Sequence, residues 1–363
     1  MANKITGTTD TTGAISVRPK TEKSLLIICE DESTSSSKVT PEKIYSLTST
    51  TEANVKFGET VSKLVKVLIN NGVDNIKCMA VGTYGEDPGA TYETIAEAYG
   101  AAMDKSLEDN TIKVVILDTL ESSIVSELKT HLNKAENEDM FRYGVIGVTS
   151  TTVSNAVTEI AAINEKRIFA PFPNVVDASN VTLGGIYCAA GLASLIMTET
   201  SDPAMPMNGV SILGFGGTSM TLLKADKTSL EQGGITGVVN DGGSPAVWRL
   251  VTTYTKDSNG EPDPIWHEGT TLFIADDVLS TMIDTLKATY KRTKNVTRIL
   301  DSIKTTVIGV LEAKEGLEII ENFDKSTVSV IKDPEDIYGA LVDYEFDVVT
   351  PLYTITITQH MKL

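Results

Sequence analysis

The chain has 363 residues and a formal net charge of −18. Its length allows two domains with a sizeable core, and its 41% hydrophobic and 22% charged residues are ordinary for a folded globular protein. So acidic a chain disfavours binding to nucleic acid, which requires a basic surface. No apolar run approaches the roughly 18 residues of a membrane span. We therefore expect neither nucleic acid nor membrane among its partners.

The cysteines and the first residues indicate where the protein is made. Cys29, Cys78 and Cys188 are odd in number and far apart, which fits a reducing compartment without a disulfide framework. The first residues contain no apolar segment of the kind that a secretory signal has. We therefore expect synthesis and folding in the cytoplasm.

Residues 1–20 are polar and rich in threonine and glycine, and they carry too little apolar surface for an independent core. Composition alone therefore favours a disordered terminus. Apolar and polar side chains nevertheless alternate, as they do in a strand, over Ala14, Ile15, Ser16 and Val17. A single strand needs a partner sheet, so this segment is either a disordered terminus or a strand that pairs elsewhere.

Residues 21–200 alternate between predicted strands and predicted helices. Residues 24–29 and 113–117 are nearly continuous apolar runs, as strands covered on both faces should be. The predicted strands are residues 24–29, 76–81, 112–117, 143–149 and 167–170, and the predicted helices are residues 54–71, 92–106, 122–135, 151–164 and 182–198. This order predicts an α/β domain whose sheet is mostly parallel and covered by helices on both faces.

The loops of this predicted domain carry no recognisable nucleotide or metal motif. Residues 30–35 follow the first strand and begin with three carboxylates, which repel phosphate. Residues 82–89 contain no lysine, and the glycine-rich residues 214–219 are not followed by the Gly-Lys of a phosphate loop. The histidines are far apart and at no metal-ligand spacing: His131, His267 and His360. We expect no catalytic residue, cofactor or metal; the alternative is a soluble α/β enzyme or nucleotide-binding protein that uses the 21–200 sheet.

Residues 201–349 have the mixed pattern of an α+β domain. A strand rich in β-branched residues is predicted over residues 246–255. It leads through a turn at residues 258–260 to Pro262 and Pro264, which keep the exit out of a central ladder. The other predicted helices are residues 272–290, 295–310 and 313–322, and the other predicted strands are residues 327–331 and 338–349.

Positive charge is concentrated where the first two of these helices meet, at Lys287, Lys291, Arg292, Lys294, Arg298 and Lys304. One interpretation is a solvated helix face, which is the usual meaning of a charge run. The other is an electrostatic contact with an acidic partner. The sequence leaves both interpretations open.

Residues 350–363 predict a final strand after Pro351. Polar and apolar side chains alternate over Tyr353, Thr354, Ile355, Thr356 and Ile357. The segment is almost uncharged, so as a free edge it would promote aggregation. We expect it to pair, either within its own sheet or with another subunit.

Residues 249–254 and 259–266 resemble the tail sheath proteins of contractile phage tails, in particular the Mu-like branch. The first segment is Arg249-Leu250-Val251-Thr252-Thr253-Tyr254, and the second combines Asn259-Gly260 with Pro262-Asp263-Pro264 and Trp266. Two flanking features match in order, at residues 202–206 and 230–239. The resemblance covers residues 186–290 in detail and the rest of the chain by layout.

The resemblance implies a structural subunit and not an enzyme. In that family, six-subunit rings stack helically around a rigid tube, and a trigger at the baseplate converts a metastable extended sheath into a shorter one. The implied partners are further copies of the chain, the inner tube protein, and the baseplate and tail terminator proteins. The implied location, after synthesis in a bacterial cytoplasm, is a phage tail or a released R-type or diffocin-like bacteriocin particle.

The resemblance also implies roles for segments of the chain. Residues 1–20 would be an N-terminal linking arm, residues 21–200 an outer domain, residues 201–349 an inner domain that faces the tube, and residues 350–363 a C-terminal linking strand. The alternating residues in the two arms would then be exchanged between subunits. The basic cluster of Lys287, Lys291, Arg292, Lys294 and Arg298 would be the candidate tube contact.

Overall fold

A computed structural model describes residues 23–33, 39–85, 89–353 and 357–359. The described residues form two compact units. The larger unit contains the residues up to 273 together with those after 349, and the smaller unit contains residues 274–349. Each unit is described by itself below.

The larger unit is built on a six-stranded sheet. Its strands are β1 (Ser24–Cys29), β2 (Tyr45–Leu47), β3 (Ile76–Ala80), β4 (Ile112–Leu117), β5 (Tyr143–Val145) and β6 (Ile168–Phe169). Their order is β2-β3-β1-β4-β5-β6, and every neighbouring pair is parallel except β2 with β3. The predicted mostly parallel sheet is therefore confirmed, with one short antiparallel strand at its edge.

Helices cover both faces of this sheet. They are α1 (Thr50–Phe57), α2 (Glu59–Asn70), α3 (Ile95–Ser106), α4 (Ser122–Asn137), α5 (Val153–Ala161) and α6 (Gly185–Glu199). Successive side chains of β1 point to opposite faces. Leu25 and Ile27 join a core with α2 and α6, whereas Leu26 and Ile28 join a second core with α3 and α4.

Two predicted helix boundaries move because of local backbone chemistry. The single helix predicted over residues 54–71 is divided at Gly58, which ends α1 with a φ of 99°. Glycine has no Cβ and adopts positive φ without strain. The helix predicted from residue 92 begins later, because Thr94 and Glu97 form a capping box that fixes the start of α3 at Ile95.

Helix α6 lies unusually close to the end of β5. A Cβ atom added to Gly185, at the start of the helix, would lie 2.4 Å from the carbonyl oxygen of Val148. A Cβ on Gly147 would lie 2.4 Å from the backbone carbon of Gly185. The two glycines therefore permit a backbone-to-backbone contact that no other residue pair would allow.

The larger unit contains a second, smaller sheet, whose strands come from before and after α6 in the chain. It is formed by β7 (Pro171–Phe172), β10 (Thr236–Asp241) and β11 (Ser244–Arg249), with β8 (Val175–Val176) and β9 (Gly217–Thr218) paired beside it and α7 (Lys224–Gln232) leading into β10. Gly242 and Gly243 both have positive φ, as a two-residue hairpin turn requires. The strand predicted over residues 246–255 ends at Arg249.

The smaller unit contains most of α8 (Gly269–Thr289), all of α9 (Thr297–Gly316) and four short strands. These strands are β12 (Ile320–Glu321), β13 (Ser329–Lys332), β14 (Ala340–Asp343) and β15 (Asp347–Val348). They form two antiparallel pairs, β12 with β15 and β13 with β14. None of the helices in the described residues is both long and apolar enough to cross a membrane.

Two predictions for the smaller unit are wrong in detail. The helices predicted over residues 295–310 and 313–322 are replaced by one helix, α9, which continues through residues 311–312 and ends at Gly316. The end of the second predicted helix is instead the strand β12, Ile320–Glu321. The strand predicted over residues 338–349 is two short strands, because residues 344–346 leave the ladder and the rings of Tyr344 and Phe346 stack 6.2 Å apart. The predicted boundary near residue 200 stays a prediction, although residues 201–273 lie in the same compact unit as the large sheet.

Candidate assembly site

The threonines of the sheath-like motif are buried hydrogen-bonding residues. The hydroxyl of Thr253 donates to the carbonyl oxygen of Glu165 at 2.9 Å and accepts from the Glu165 amide at 3.1 Å. The hydroxyl of Thr252 donates to the carbonyl oxygen of Trp266 at 2.7 Å. Both threonines are at most 1% exposed. The amides of Thr252 and Thr253 also donate to the carbonyl oxygens of His267 and Ile168, so backbone and side chain together fix the segment that follows β11.

The turn that follows the motif is closed by Asp257. Its carboxylate accepts hydrogen bonds from the amides of Asn259, at 2.8 Å, and Glu261, at 2.9 Å. These bonds lower the pKa of Asp257, and the bond from the Glu261 amide has the largest effect. Gly260 has a φ of 83°, as the predicted reversal requires. The segment resembling sheath proteins is thus a scaffold that fixes the start of α8.

Arg249, the first residue of that motif, lies between two carboxylates. Its guanidinium donates to Glu268 Oε2, at 2.9 Å from Nη2, and to Glu231 on α7. Burial alone would lower the pKa of Arg249, but the hydrogen bond to Glu268 and the charges of Glu268 and Glu231 raise it. A permanently charged, planar group is therefore held rigidly at the end of β11.

Tyr353 packs on this arginine from the C-terminal segment. The guanidinium lies 4.5 Å from the centre of the Tyr353 ring, and the phenol donates to Glu268 Oε1 at 2.7 Å. Burial, followed by the charge of Glu268, raises the pKa of Tyr353, so the phenol stays a neutral donor. Arg249 and Glu268 thus contact the beginning of the predicted linking strand. We call Arg249, Glu231 and Glu268 the Arg249 cluster.

The other predicted linking residues are only partly described. Ala14, Ile15, Ser16 and Val17, and likewise Thr354, Ile355 and Thr356, lie outside the described residues. Ile357 is described and is 86% exposed. Exchange of these segments between subunits stays a prediction.

The predicted tube-contact residues lie where α8 gives way to α9. Lys287 is in the last turn of α8, Arg298 is in the first turn of α9, and the remaining three lie at or beside the connection, all with exposed side chains: Lys291, Arg292 and Lys294. The phenol of Tyr290 shares hydrogen bonds with Ser302, at 3.0 Å, and Thr306, at 2.8 Å. Tyr290 thereby fixes the connection against α9, so the charges are presented from a defined turn.

The β13–β14 pair exposes an apolar surface that the sequence did not predict. Ile331 and Leu341 are directly paired across the strands and are 52% and 45% exposed. In the turn between the strands, Ile337 is 77% and Tyr338 86% exposed. The side-chain amide of Asn295 donates to the Gly339 carbonyl at 2.9 Å, which ties this turn to the basic connection. We call the two strands and their turn the exposed hairpin.

The carboxyl edge of the large sheet is occupied by its own polar side chains. In a doubly wound sheet, ligands bind where the strand order reverses, which here is between β1 and β4. There Asp118 accepts a hydrogen bond from the Tyr99 phenol at 2.5 Å and from the Glu30 amide at 2.9 Å, and Glu30 accepts from the Tyr84 phenol at 2.6 Å. Burial raises the pKa of Asp118 to about 6.

Sequence reasoning also missed a buried pair beneath α4. His131, on α4, is 1% exposed, and its Nε2 atom lies 3.1 Å from the guanidinium of the fully buried Arg142. Burial, and then the charge of Arg142, lowers the pKa of His131 to about 3, so the imidazole is neutral and accepts from the arginine. The described residues contain no group of carboxylates, histidines and cysteines that could hold a metal ion.

A family model matches the C-terminal part of the chain. Residues 261–362 match the phage tail sheath C-terminal domain. The match covers α8, α9, the exposed hairpin and the C-terminal segment. Comparison of the sequence with curated proteins finds no match.

Solved structures extend the likeness to nearly the whole chain. The sheath tail protein of Desulfitobacterium hafniense has a TM-score of 0.68 at 10% identity, over 96% of this chain and 97% of that chain. The contracted helical sheath of the anti-feeding prophage has a TM-score of 0.69 at 14% identity, over 94% of both chains. A chain of the anti-feeding prophage baseplate has a TM-score of 0.67 at 12% identity, again over 94% of both chains.

These matches establish the fold of the chain. The chain has the fold of tail sheath proteins from one end of that fold to the other. Residues 261–362 match the model of the phage tail sheath C-terminal domain, and the resemblance to contractile tail sheath proteins that the motif at residues 249–266 predicted is confirmed.

Proposed function

We propose that this chain is the structural subunit of a contractile tail sheath. The observation that carries the proposal is the continuous likeness to sheath chains over more than nine-tenths of the sequence, together with the family match at residues 261–362. Subunits assemble into stacked six-membered rings around a rigid tube. The particle that contains the subunit is a phage tail or a tail-like bacteriocin.

Exchange of strands links the subunits. A two-stranded sheet is marginally stable and leaves two unpaired edges. The smaller unit contains two such sheets, and the exposed hairpin adds apolar side chains to one of them. The alternating residues 14–17 and 353–357 are suitable donors, because an extended segment that adds to a sheet edge gains main-chain hydrogen bonds along its length.

Contraction derives its energy from subunit contacts. The extended sheath is metastable, and a trigger at the baseplate lets subunits rotate and move outward into a state with more buried surface. The site where the strand order reverses contains Asp118, bonded to the Tyr99 phenol and the Glu30 amide, and the carboxylates of Asp118 and Glu30 would repel a phosphate. The alternative of an α/β enzyme or nucleotide-binding protein is therefore not favoured, and we propose a structural role without cofactor.

Further copies of the chain, the inner tube, the baseplate and the tail terminator are the proposed partners. The likeness to chains of a helical sheath and of a baseplate supports self-assembly and contact with a baseplate. The basic cluster at the α8–α9 connection is the proposed tube contact, because it concentrates positive charge in a chain whose net charge is −18 and could therefore bind an acidic partner surface.

Deletion of residues 1–17 tests the strand-exchange part of the proposal. The deletion should leave the thermal unfolding of the chain unchanged and should abolish the fast-sedimenting polymer in analytical ultracentrifugation. An intact chain that sediments as a monomer or small closed oligomer, and that is stabilised by a small molecule in a ligand screen, would support an enzyme instead.

Charge reversal tests the proposed tube contact. The double variant Lys291→Glu and Lys294→Glu should weaken co-sedimentation with the tube protein, and the loss should be larger at low salt, since exposed charges are screened beyond a Debye length of about 8 Å at physiological ionic strength. Lys66→Glu, on an exposed face of α2, is the matched control. Equal tube binding by the double variant and the control would remove the basic cluster from the interface.

A further inference from the structure

The C-terminal segment is fixed to the larger unit at Tyr353. Residues 350–352 have no regular secondary structure, and Leu352 is 72% exposed. The next residue, Tyr353, is only partly exposed because its ring packs on Arg249 and its phenol bonds to Glu268. Exposure therefore changes abruptly at the residue where the alternating strand pattern begins.

The site that receives Tyr353 is built from separate elements. Arg249 ends β11, Glu231 lies on α7, and Glu268 precedes α8. Glu268 is 9% exposed, and its two oxygens have different partners. Oε2 accepts from Arg249, whereas Oε1 accepts from the Tyr353 phenol at 2.7 Å and the Thr270 hydroxyl at 3.1 Å.

The geometry of the Arg249 cluster makes it selective for an aromatic side chain with a hydroxyl. Carboxylates hold the guanidinium on two sides and fix its plane. A planar cation attracts the face of an aromatic ring, and the attraction strengthens when the pair is partly removed from water. The phenol reaches the carboxylate oxygen that Arg249 does not use, so ring and hydroxyl are both recognised.

We propose that Arg249, Glu268 and Tyr353 form an anchor that fixes the C-terminal arm to its own subunit, so that strand exchange begins only after residue 353. This inference rests on the proposed sheath function and sharpens it. Tyr353 is then a positioning residue that remains on its own subunit. Only the residues that follow it cross to a neighbour, so the inference shortens the proposed donor segment of residues 353–357 by its first residue.

The anchor has a mechanical consequence for a sheath whose subunits move. A pulling force on an exchanged strand would act through Tyr353 on Arg249, at the end of β11. The force would then be carried by the smaller sheet, because β11 is paired with β10 and β10 with β7. Without the anchor, residues 350–353 would lengthen the free tether by about 13 Å, at roughly 3.3 Å per extended residue. Neighbouring subunits would then be held at a less defined distance.

The first test uses the free chain at a concentration below assembly. Digestion with proteinase K, followed by mass spectrometry, should show cleavage between residues 346 and 356 about tenfold faster in Tyr353→Ala than in the unaltered chain, as a loss of about 1.4 kcal/mol of local stability produces. Leu352→Ala, one residue away and exposed, is the matched control and should digest at the original rate.

Two further variants separate the anchor from a general loss of folding. Tyr353→Phe keeps the ring on Arg249 and should give an intermediate rate, and Arg249→Lys removes the planar partner and should approach Tyr353→Ala. Thermal unfolding identifies any variant that has lost its fold. If Tyr353→Ala and Tyr353→Phe both digest at the rate of the Leu352→Ala control, there is no anchor.

The second test uses assembled tubes. Tyr353→Ala should form tubes that are shorter or irregular in their axial repeat when viewed by electron microscopy, whereas Leu352→Ala should match the original. Regular tubes from Tyr353→Ala would contradict a positioning role for the anchor. If the unaltered chain forms no tubes, the proposed sheath function fails, and the protease comparison still decides whether Tyr353 anchors the segment.

Discussion

The large sheet and the exposed hairpin differ in how far the chain itself completes them. All six residues of β1 are buried, and β1 has a parallel partner on each side. No residue of β13 or β14 is buried, although both strands contain apolar side chains. The first sheet is a finished core, whereas the second is a surface whose outer edges pair with no strand of the described residues. This contrast separates the residues that maintain the subunit from those that we propose to join subunits.

The largest effect on the finished core is expected from Gly185→Ala. A Cβ at this position would lie 2.4 Å from the Val148 carbonyl oxygen, and backbone cannot move away as a side chain can. We expect a loss of about 3 kcal/mol or more in the free energy of unfolding, at the upper end of overpacking effects. Gly184→Ala is the matched control, because a Cβ there would meet nothing within 4 Å. Similar denaturant midpoints for the two variants would contradict the close packing of α6.

Asp118 gives the core a predictable dependence on pH. Burial raises its pKa from 3.8 to about 6, so the folded state binds this proton more tightly than the unfolded state does. The resulting stabilisation is complete below about pH 4 and is lost as the pH rises through 6. Relative to Asp118→Asn, the unaltered chain should therefore lose on the order of 3 kcal/mol between pH 4 and pH 7. Urea titrations of both proteins at several pH values measure the difference, and a difference that is constant with pH would contradict the assignment.

Thr253→Val tests the scaffold beneath the sheath-like motif. Valine has nearly the shape of threonine, but it leaves the amide and carbonyl of Glu165 without the Thr253 hydroxyl. We expect a loss of about 2 kcal/mol, typical of buried backbone groups deprived of a partner. Thr158→Val, at an exposed position of α5, should change stability by less than about 0.5 kcal/mol. Equal denaturation curves for the two variants would show that the hydroxyl of Thr253 is dispensable.

The smallest effect on stability is expected in the exposed hairpin, where the effect on assembly should be greatest. The double variant Ile331→Thr and Leu341→Thr keeps strand-compatible side chains and should change the free energy of unfolding by less than about 0.5 kcal/mol. Polymer formation, followed by light scattering, should nevertheless fall sharply, because the apolar contact offered to incoming strands is lost. Val55→Thr, at an apolar position of similar exposure, is the control. If the exposed hairpin stabilises only the monomer, the double variant should instead lose stability and retain assembly, which would contradict the proposal.

The finished core was the part most predictable from sequence. The predicted bounds of β1 and β4 coincide with the observed Ser24–Cys29 and Ile112–Leu117. Such agreement has a physical reason, because a strand buried on both faces must be apolar at every position, and polar residues then mark its ends. The division at Gly58 and the delayed start of α3 were missed, since both depend on single residues within an otherwise helical pattern.

The candidate assembly site was predictable only in outline. The motif containing Arg249 was recognised, but its contact with Tyr353 was not, because Tyr353 and its partner Glu268 are 85 residues apart and no periodicity links them. The exposed hairpin was predicted as ordinary strands, since exposure depends on what the rest of the chain leaves uncovered. The sequence indicated only that Arg249 would pair with a carboxylate. With 49 acidic residues in the chain, the choice of its partner would have been arbitrary.

Negative-stain electron microscopy of the purified chain, with both ends intact, tests the central claim most directly. A sheath subunit should form hollow tubes of uniform width with helical striations, most readily in the contracted, lower-energy arrangement. Small particles that persist at high protein concentration would contradict the sheath assignment and return attention to the large sheet as a ligand-binding domain.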